Sequence, residues 1–217
     1  MKRKKIFIIN FSIIVSLIIS NISSMTIEKE IFFSSYLKSI NLADASGKIK
    51  IKSNKLHINF SAKTVGVFSI FSNWTQSINV EAKFNNDNLR SNKYKSRDSR
   101  GKKKGHMHLD FQGIYPIIVS AQPNPREDQR RKKINKNLLI EANDPIVGVI
   151  NLGLNETCNK EEVIFDGKRR YILSSKFLNN EIIKKNDFYT ENINAIKCAF
   201  NIKKLEGYTE KEKKRYP

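Results

Sequence analysis

Apolar residues recur at every second position in one segment after another of this chain. Across IKIKSNKLHINF, from Ile49 to Phe60, Leu56, Ile58 and Phe60 fall on one face, His57 and Asn59 on the other. A strand turns successive side chains to opposite faces, so this spacing predicts a half-buried strand. The alternation returns at Ile78, Val80, Ala82 and Phe84, at Met107, Leu109 and Phe111, and at Ile196, Cys198, Phe200 and Ile202. Ile31 to Leu37 reads as a first strand, with Ser46-Gly47 as the turn into the second. Consecutive period-two runs joined by short turns predict an all-β antiparallel meander with one core face.

Turn chemistry sharpens the outline. Asp166-Gly167 lies between two β-prone runs in VIFDGKRRYIL, where Asp-Gly suits the positive φ angles of a type I′ hairpin. Gly101 is expected to do similar work between strands ending near Arg97 and starting near Gly105. One internal segment reads as a helix: Asp144 caps it, Pro145 occupies its first position, and Gly153 is placed to end it in a left-handed conformation. Residues 122–137, QPNPREDQRRKKINKN, are polar, Pro-broken and basic, which reads as a surface loop.

With 217 residues, 39% of them hydrophobic, the chain is long enough to bury one core without a dense disulfide framework. Residues 1–24 join a basic start (Lys2, Arg3, Lys4, Lys5) to an apolar stretch from Ile6 to Ile19 and a Ser-rich end. That is the pattern of a secretory signal peptide, cleaved after Ser23 or Ser24. An uncleaved anchor is the competing reading, but it needs about 20 apolar residues, and Asn10, Ser12 and Ser16 dilute this run. The expected organisation is therefore a signal peptide at 1–24, a single sheet domain at 25–208 and, at 209–217, a charged, solvated tail or else the start of a truncated continuation. Removing the first 24 residues leaves 36 basic against 21 acidic residues, a net charge of +15. For an exported chain such charge points to anionic lipid and envelope polymers rather than nucleic acid. The abundance of Lys, Asn and Ile also fits an AT-rich genome, and genomic drift towards Lys is the favoured source of the charge, which still sets solubility and non-specific binding.

A set of landmarks in fixed order resembles a family of exported bacterial proteins, domain of unknown function 3108. They are TVGVFSIFSNW (64–74), the Gly101-Lys102 hairpin, Asp144-Pro145, a Cys shortly before VIFDGKRRY, and a second Cys in KCAFNI followed by LEGY. The resemblance spans roughly residues 30–208. It implies a strongly curved antiparallel sheet, a half-open barrel reminiscent of periplasmic lipoprotein carriers, with no established activity.

Candidate chemistry is sparse. Cys158 and Cys198 are an even pair in a chain expected outside the cytoplasm, which favours a disulfide over two separate buried thiols. His106, His108 and Asp110 share one strand face, but same-face neighbours lie about 7 Å apart, so one metal would need a second strand's help. His57 stands alone on a polar face. The chain has no Gly-x-Ser-x-Gly, no Gly-rich phosphate loop and no dinucleotide fingerprint, and hence no cofactor motif. The run Val65, Val67, Phe68, Ile70, Phe71 and Trp74 breaks the two-residue period. It reads as a core corner packed under a loop, or else as the mouth of a lipid cleft lined by Phe68, Phe71 and Trp74.

Together these features predict a non-enzymatic periplasmic protein that binds an apolar or amphipathic ligand, or a protein partner, in the cell envelope. The inward residues Leu56, Ile58, Phe60, Val80, Phe84, Leu109 and Phe111 are the candidate ligand face. The basic loop at 122–137 is the candidate contact with anionic membrane. Two rival readings remain: an envelope hydrolase with convergent acids or His, and a structural adaptor that pairs through an open sheet edge.

Overall fold

The computed structural model describes residues 26–37, 39–154, 158–185 and 191–215; the candidate signal peptide lies outside the described residues. Seven strands follow one another in space as they do in sequence: β1 (Thr26–Leu37), β2 (Ile40–Lys52), β3 (Lys55–Thr64), β4 (Trp74–Asn85), β5 (Asn88–Arg100), β6 (Lys103–Asp110) and β7 (Ile117–Gln122). All neighbours are antiparallel, and β1 and β7 form the two edges of an unclosed sheet. A second sheet, ordered β10-β9-β8, is built from β8 (Glu161–Phe165), β9 (Arg170–Ile183) and β10 (Ile193–Glu206). Short helices α1 (Val67–Phe71), α2 (Pro145–Gly153) and α3 (Glu210–Arg215) and a 3-10 turn at Lys136–Leu139 complete the elements of the described residues. Mostly β with an open antiparallel sheet is the expected class.

Three hairpins of the large sheet close with two residues each, and the first of the two takes a positive φ: Ser53 (55°), Asn86 (54°) and Gly101 (57°). Register shifts bend the sheet. Glu81 faces Lys93 while Ala82 faces Ser91, which leaves Asn92 as an extra residue, and Val119 is extra in β7 in the same way. An inserted residue bends its strand and adds twist, the local origin of curvature.

The alternating residues deliver one continuous core. Leu56, Ile58, Val80, Leu109 and Met107 are buried together with Leu139, Ala142, Val147 and Phe165 from the segment that crosses their face. Helix α2 lies between the sheets. Val147 belongs to the large core, while Leu152 packs with Ile164 and Leu173 of the small sheet. Gly148 allows this approach, because a Cβ there would overlap Ile164.

Several expectations are corrected. The run from Ile49 to Phe60 is two strands, since alternation continues in phase through the Ser53-Asn54 turn and hides it. Ser46-Gly47 is no turn but the middle of β2, where bare Gly47 makes room for Ile31 and Phe60. Gly153 is the last helical residue and Leu154 caps in an extended conformation. Asp166-Gly167 opens a four-residue loop, because Phe165 pairs with Arg170 and the Asp166 carboxylate accepts from the N–H of both Lys168 and Arg169. One internal helix was expected, and among the described residues three form. The apolar run at 65–74 is not a packed core corner: α1 buries none of its residues.

Candidate functional site

The face expected to hold a ligand is filled at its centre. Leu56, Ile58, Val80 and Leu109 are buried under Leu139, Val147 and Phe165, while Phe60, Phe84 and Phe111 are half-buried at the margin. A network of polar groups beside them holds this small helix over the sheet.

Beyond Lys93, β6 no longer pairs with β5, and side chains take over its role. Asn151 accepts from Leu89 N (2.8 Å) and donates to Leu89 O (2.9 Å), and Asn143 Oδ1 accepts from Ser91 N (3.0 Å). Asp144 Oδ1 accepts from the N–H groups of Ile146 and Val147, capping α2, and its Oδ2 accepts from Ser91 Oγ (2.7 Å). All four polar residues are buried. Burial pushes the Asp144 carboxyl up to about 6, against the hydrogen bonds from Ser91, Val147 and Ile146 that favour its charge. This is a satisfied structural network: its carboxylate and amides are spent on main chain, on Ser91 and, through the Asn143 amide nitrogen, which donates to Glu162 (3.0 Å), on one further carboxylate.

The row His106, His108 and Asp110 does lie opposite buried Met107 and Leu109. Its cross-strand neighbours are Arg97, Lys95 and Lys93. Burial first, then the Lys95 charge, lowers the His108 pKa, an environment that repels a cation. Among the described residues no group of three or more His, Cys, Asp or Glu is placed to hold a metal. His57 faces Glu81 and Lys50 across β3.

The basic loop is anchored rather than free-standing. Arg131 donates to Glu212 at 2.8 and 2.9 Å and to Gly207 O at 2.7 Å, which docks α3. Burial raises the Glu212 carboxyl, but Arg131 and the N–H of Thr209 outweigh it and bring it down to about 2. The tail expected to be solvated is thus part of the fold. Arg126, Lys132, Lys133 and Lys136 remain exposed, and Arg130 pairs with Asp128.

The small sheet also carries an unpaired edge and exposed apolar side chains. β10 pairs along its length with β9, and among the described residues nothing pairs with its other edge. Phe200 and Ile202 are each 55% exposed, and Phe177, Leu178, Ile182 and Ile196 are exposed around them. Cys158 and Cys198 form the disulfide, with Cα atoms 5.6 Å apart. It ties the segment before β8 to β10 across the intervening β9. Beside it a groove of about 880 Å³ runs between Gly153, Ile182 and Ile196.

A family model described as Protein of unknown function (DUF3108) matches residues 32–216. The chain belongs to this family. Comparison with curated proteins and with solved structures finds no match. Of the residues that organise this DUF3108 chain, sequence reasoning found the cysteines and Asp144 but not Asn143, Asn151, Ser91 or Arg131. A lone Asn in the otherwise apolar helix IVGVINLG was the available signal for Asn151. Among the described residues no helix is long and apolar enough to cross a membrane.

Proposed function

We propose that this DUF3108 chain is a non-enzymatic binding protein of the periplasm, exported by its N-terminal segment, that engages a protein partner through the β9–β10 hairpin. The observation that carries the reading is the open edge of β10 beside exposed Phe200, Ile202, Ile196 and Phe177. An unpaired strand offers main-chain donors and acceptors to an extended segment, and apolar side chains next to it select which segment binds. A disulfide that stiffens this hairpin fits an oxidising compartment. Partner binding is favoured over carriage of an acyl chain, because α2 and Phe165 occupy the face that a carrier would leave open.

The test is photo-crosslinking in the native cells. A photoreactive residue at Ile202 should give one reproducible protein adduct, and the same group at exposed Lys176, on the opposite face of β9, should not. Adducts of equal yield at both positions, or at neither, would refute the reading. N-terminal sequencing of the cellular protein tests the export step, with an intact Met1 as the contrary result.

A further inference from the structure

Helix α1 is an apolar knob at one end of the large sheet. Val67, Phe68, Ile70 and Phe71 are all exposed, the last two by 81% and 86%. Scattered exposed apolar residues are ordinary, but four within five positions on a projecting turn mark a contact surface. The knob is held firmly. Thr64 Oγ1 donates to Ser72 O (2.6 Å) and accepts from Trp74 N (3.1 Å), which clasps both ends, and Ser72 N closes the helix onto Phe68 O (2.9 Å).

Beside it stands the β5–β6 turn, tied on by Gly101 N donating to Asn73 O (3.0 Å). That turn carries Arg100, Lys102, Lys103 and Lys104, all exposed, and among the described residues no carboxylate pairs with any of them. The nearest acid along the strand is Asp98, which lies against Gly105. Apolar side chains that project past a cluster of cations match the cross-section of an anionic bilayer surface, where hydrocarbon lies beneath phosphate.

We propose that this tip is a membrane-contact site: Ile70 and Phe71 enter the interfacial layer of an anionic bilayer while Arg100, Lys102, Lys103 and Lys104 meet lipid phosphates. It is separate from the β9–β10 hairpin and does not depend on that reading.

The chain's single Trp, Trp74, lies three residues beyond Phe71 and supplies a local reporter. The experiment uses the full chain with vesicles of phosphatidylglycerol and phosphatidylcholine carrying bromine near the headgroup end of the acyl chains. Thr26 and Trp74 lie at opposite ends of the large sheet, so quenching of Trp74 reports docking of the tip. Quenching should require phosphatidylglycerol and weaken with salt. It should be lost in the double variant Ile70→Asp, Phe71→Asp, whose exposed positions leave the fold intact. The triple variant of Lys102, Lys103 and Lys104 to Gln should need roughly a hundredfold more lipid, at about fivefold per charge. Quenching that is absent, equal on pure phosphatidylcholine, or unchanged in the Asp variant would overturn the proposal, and absence would point to an acidic protein as the occupant.

Discussion

The side-chain amide of Asn151 makes to Leu89 both of the bonds that a neighbouring strand would make, accepting from its N–H at 2.8 Å and donating to its C=O at 2.9 Å. A helix residue thereby continues the sheet where β6 stops. Both main-chain groups are buried, and buried unpaired groups cost about 1–3 kcal/mol each. Asn151→Ala should therefore lower stability by about 2–4 kcal/mol, read from urea denaturation of the purified protein. A loss under 0.5 kcal/mol would mean that water substitutes for the amide.

Asp144 should make stability fall with rising pH. Burial holds its folded carboxyl up at about 6, against an ordinary value of 3.8 in the unfolded chain, so the folded state binds the proton more tightly. The associated stabilisation is complete below the unfolded value and is lost as pH climbs to about 6, a change of up to about 3 kcal/mol. Asp144→Asn keeps an acceptor for the N–H groups of Ile146 and Val147 without titrating. The difference between wild type and variant, followed by urea denaturation from pH 4 to 7, should move against the wild type. Parallel profiles would show that the carboxyl stays charged throughout.

How much of this was legible follows from range. The period-two runs are local, so the strands of Leu56, Val80 and Leu109 and their inward faces could be read directly. The turn at Ser53-Asn54 was hidden because two residues preserve the phase of alternation on either side. Asp144 announced itself through the adjacent Pro145, a contact within one turn of helix. Arg131 did not, because its partners Gly207 and Glu212 are 76 and 81 residues away and nothing around it in a polar loop differs from its basic neighbours. The exposure of α1 was equally out of reach, since an apolar run that loses its period looks the same whether it is buried or projecting.

Reducing the disulfide should loosen the β9–β10 hairpin before it unfolds the large sheet. Cys158 and Cys198 are 40 residues apart, and a closed loop of that size constrains the unfolded chain by about 4 kcal/mol on the entropic model. The double variant Cys158→Ser, Cys198→Ser should lose stability of that order, with amide exchange rising first in residues 193–202. Uniform acceleration through both sheets would instead show that they unfold as one unit.

The docking of α3 supplies the most specific prediction. Thr209 and Glu212 form a reciprocal cap: Glu212 N donates to Thr209 Oγ1, and the Glu212 carboxylate accepts from Thr209 N. That carboxylate also takes two bonds from Arg131, so one side chain both starts the helix and fixes it to the loop. With its pKa brought down to about 2, the Glu212 contribution is present above the ordinary value of 4.5 and is lost as pH falls towards 2. Preceding it, Gly207 holds φ at 80°, where a Cβ would overlap Lys168 O. Gly207→Ala should cost roughly 2–4 kcal/mol through backbone strain and this clash. Arg131→Ala should leave the sheets folded but release α3, so that trypsin at pH 8 cuts after Lys211 about tenfold faster, in line with the loss of a charge-assisted pair. Arg131→Lys should rescue only in part, because one ammonium cannot serve the Gly207 carbonyl and both Glu212 oxygens in the planar geometry of a guanidinium. Full rescue by Lys would reduce the interaction to simple charge attraction, and unchanged cleavage in Arg131→Ala would show that Tyr208, buried between Arg169 and Lys204, holds the helix instead.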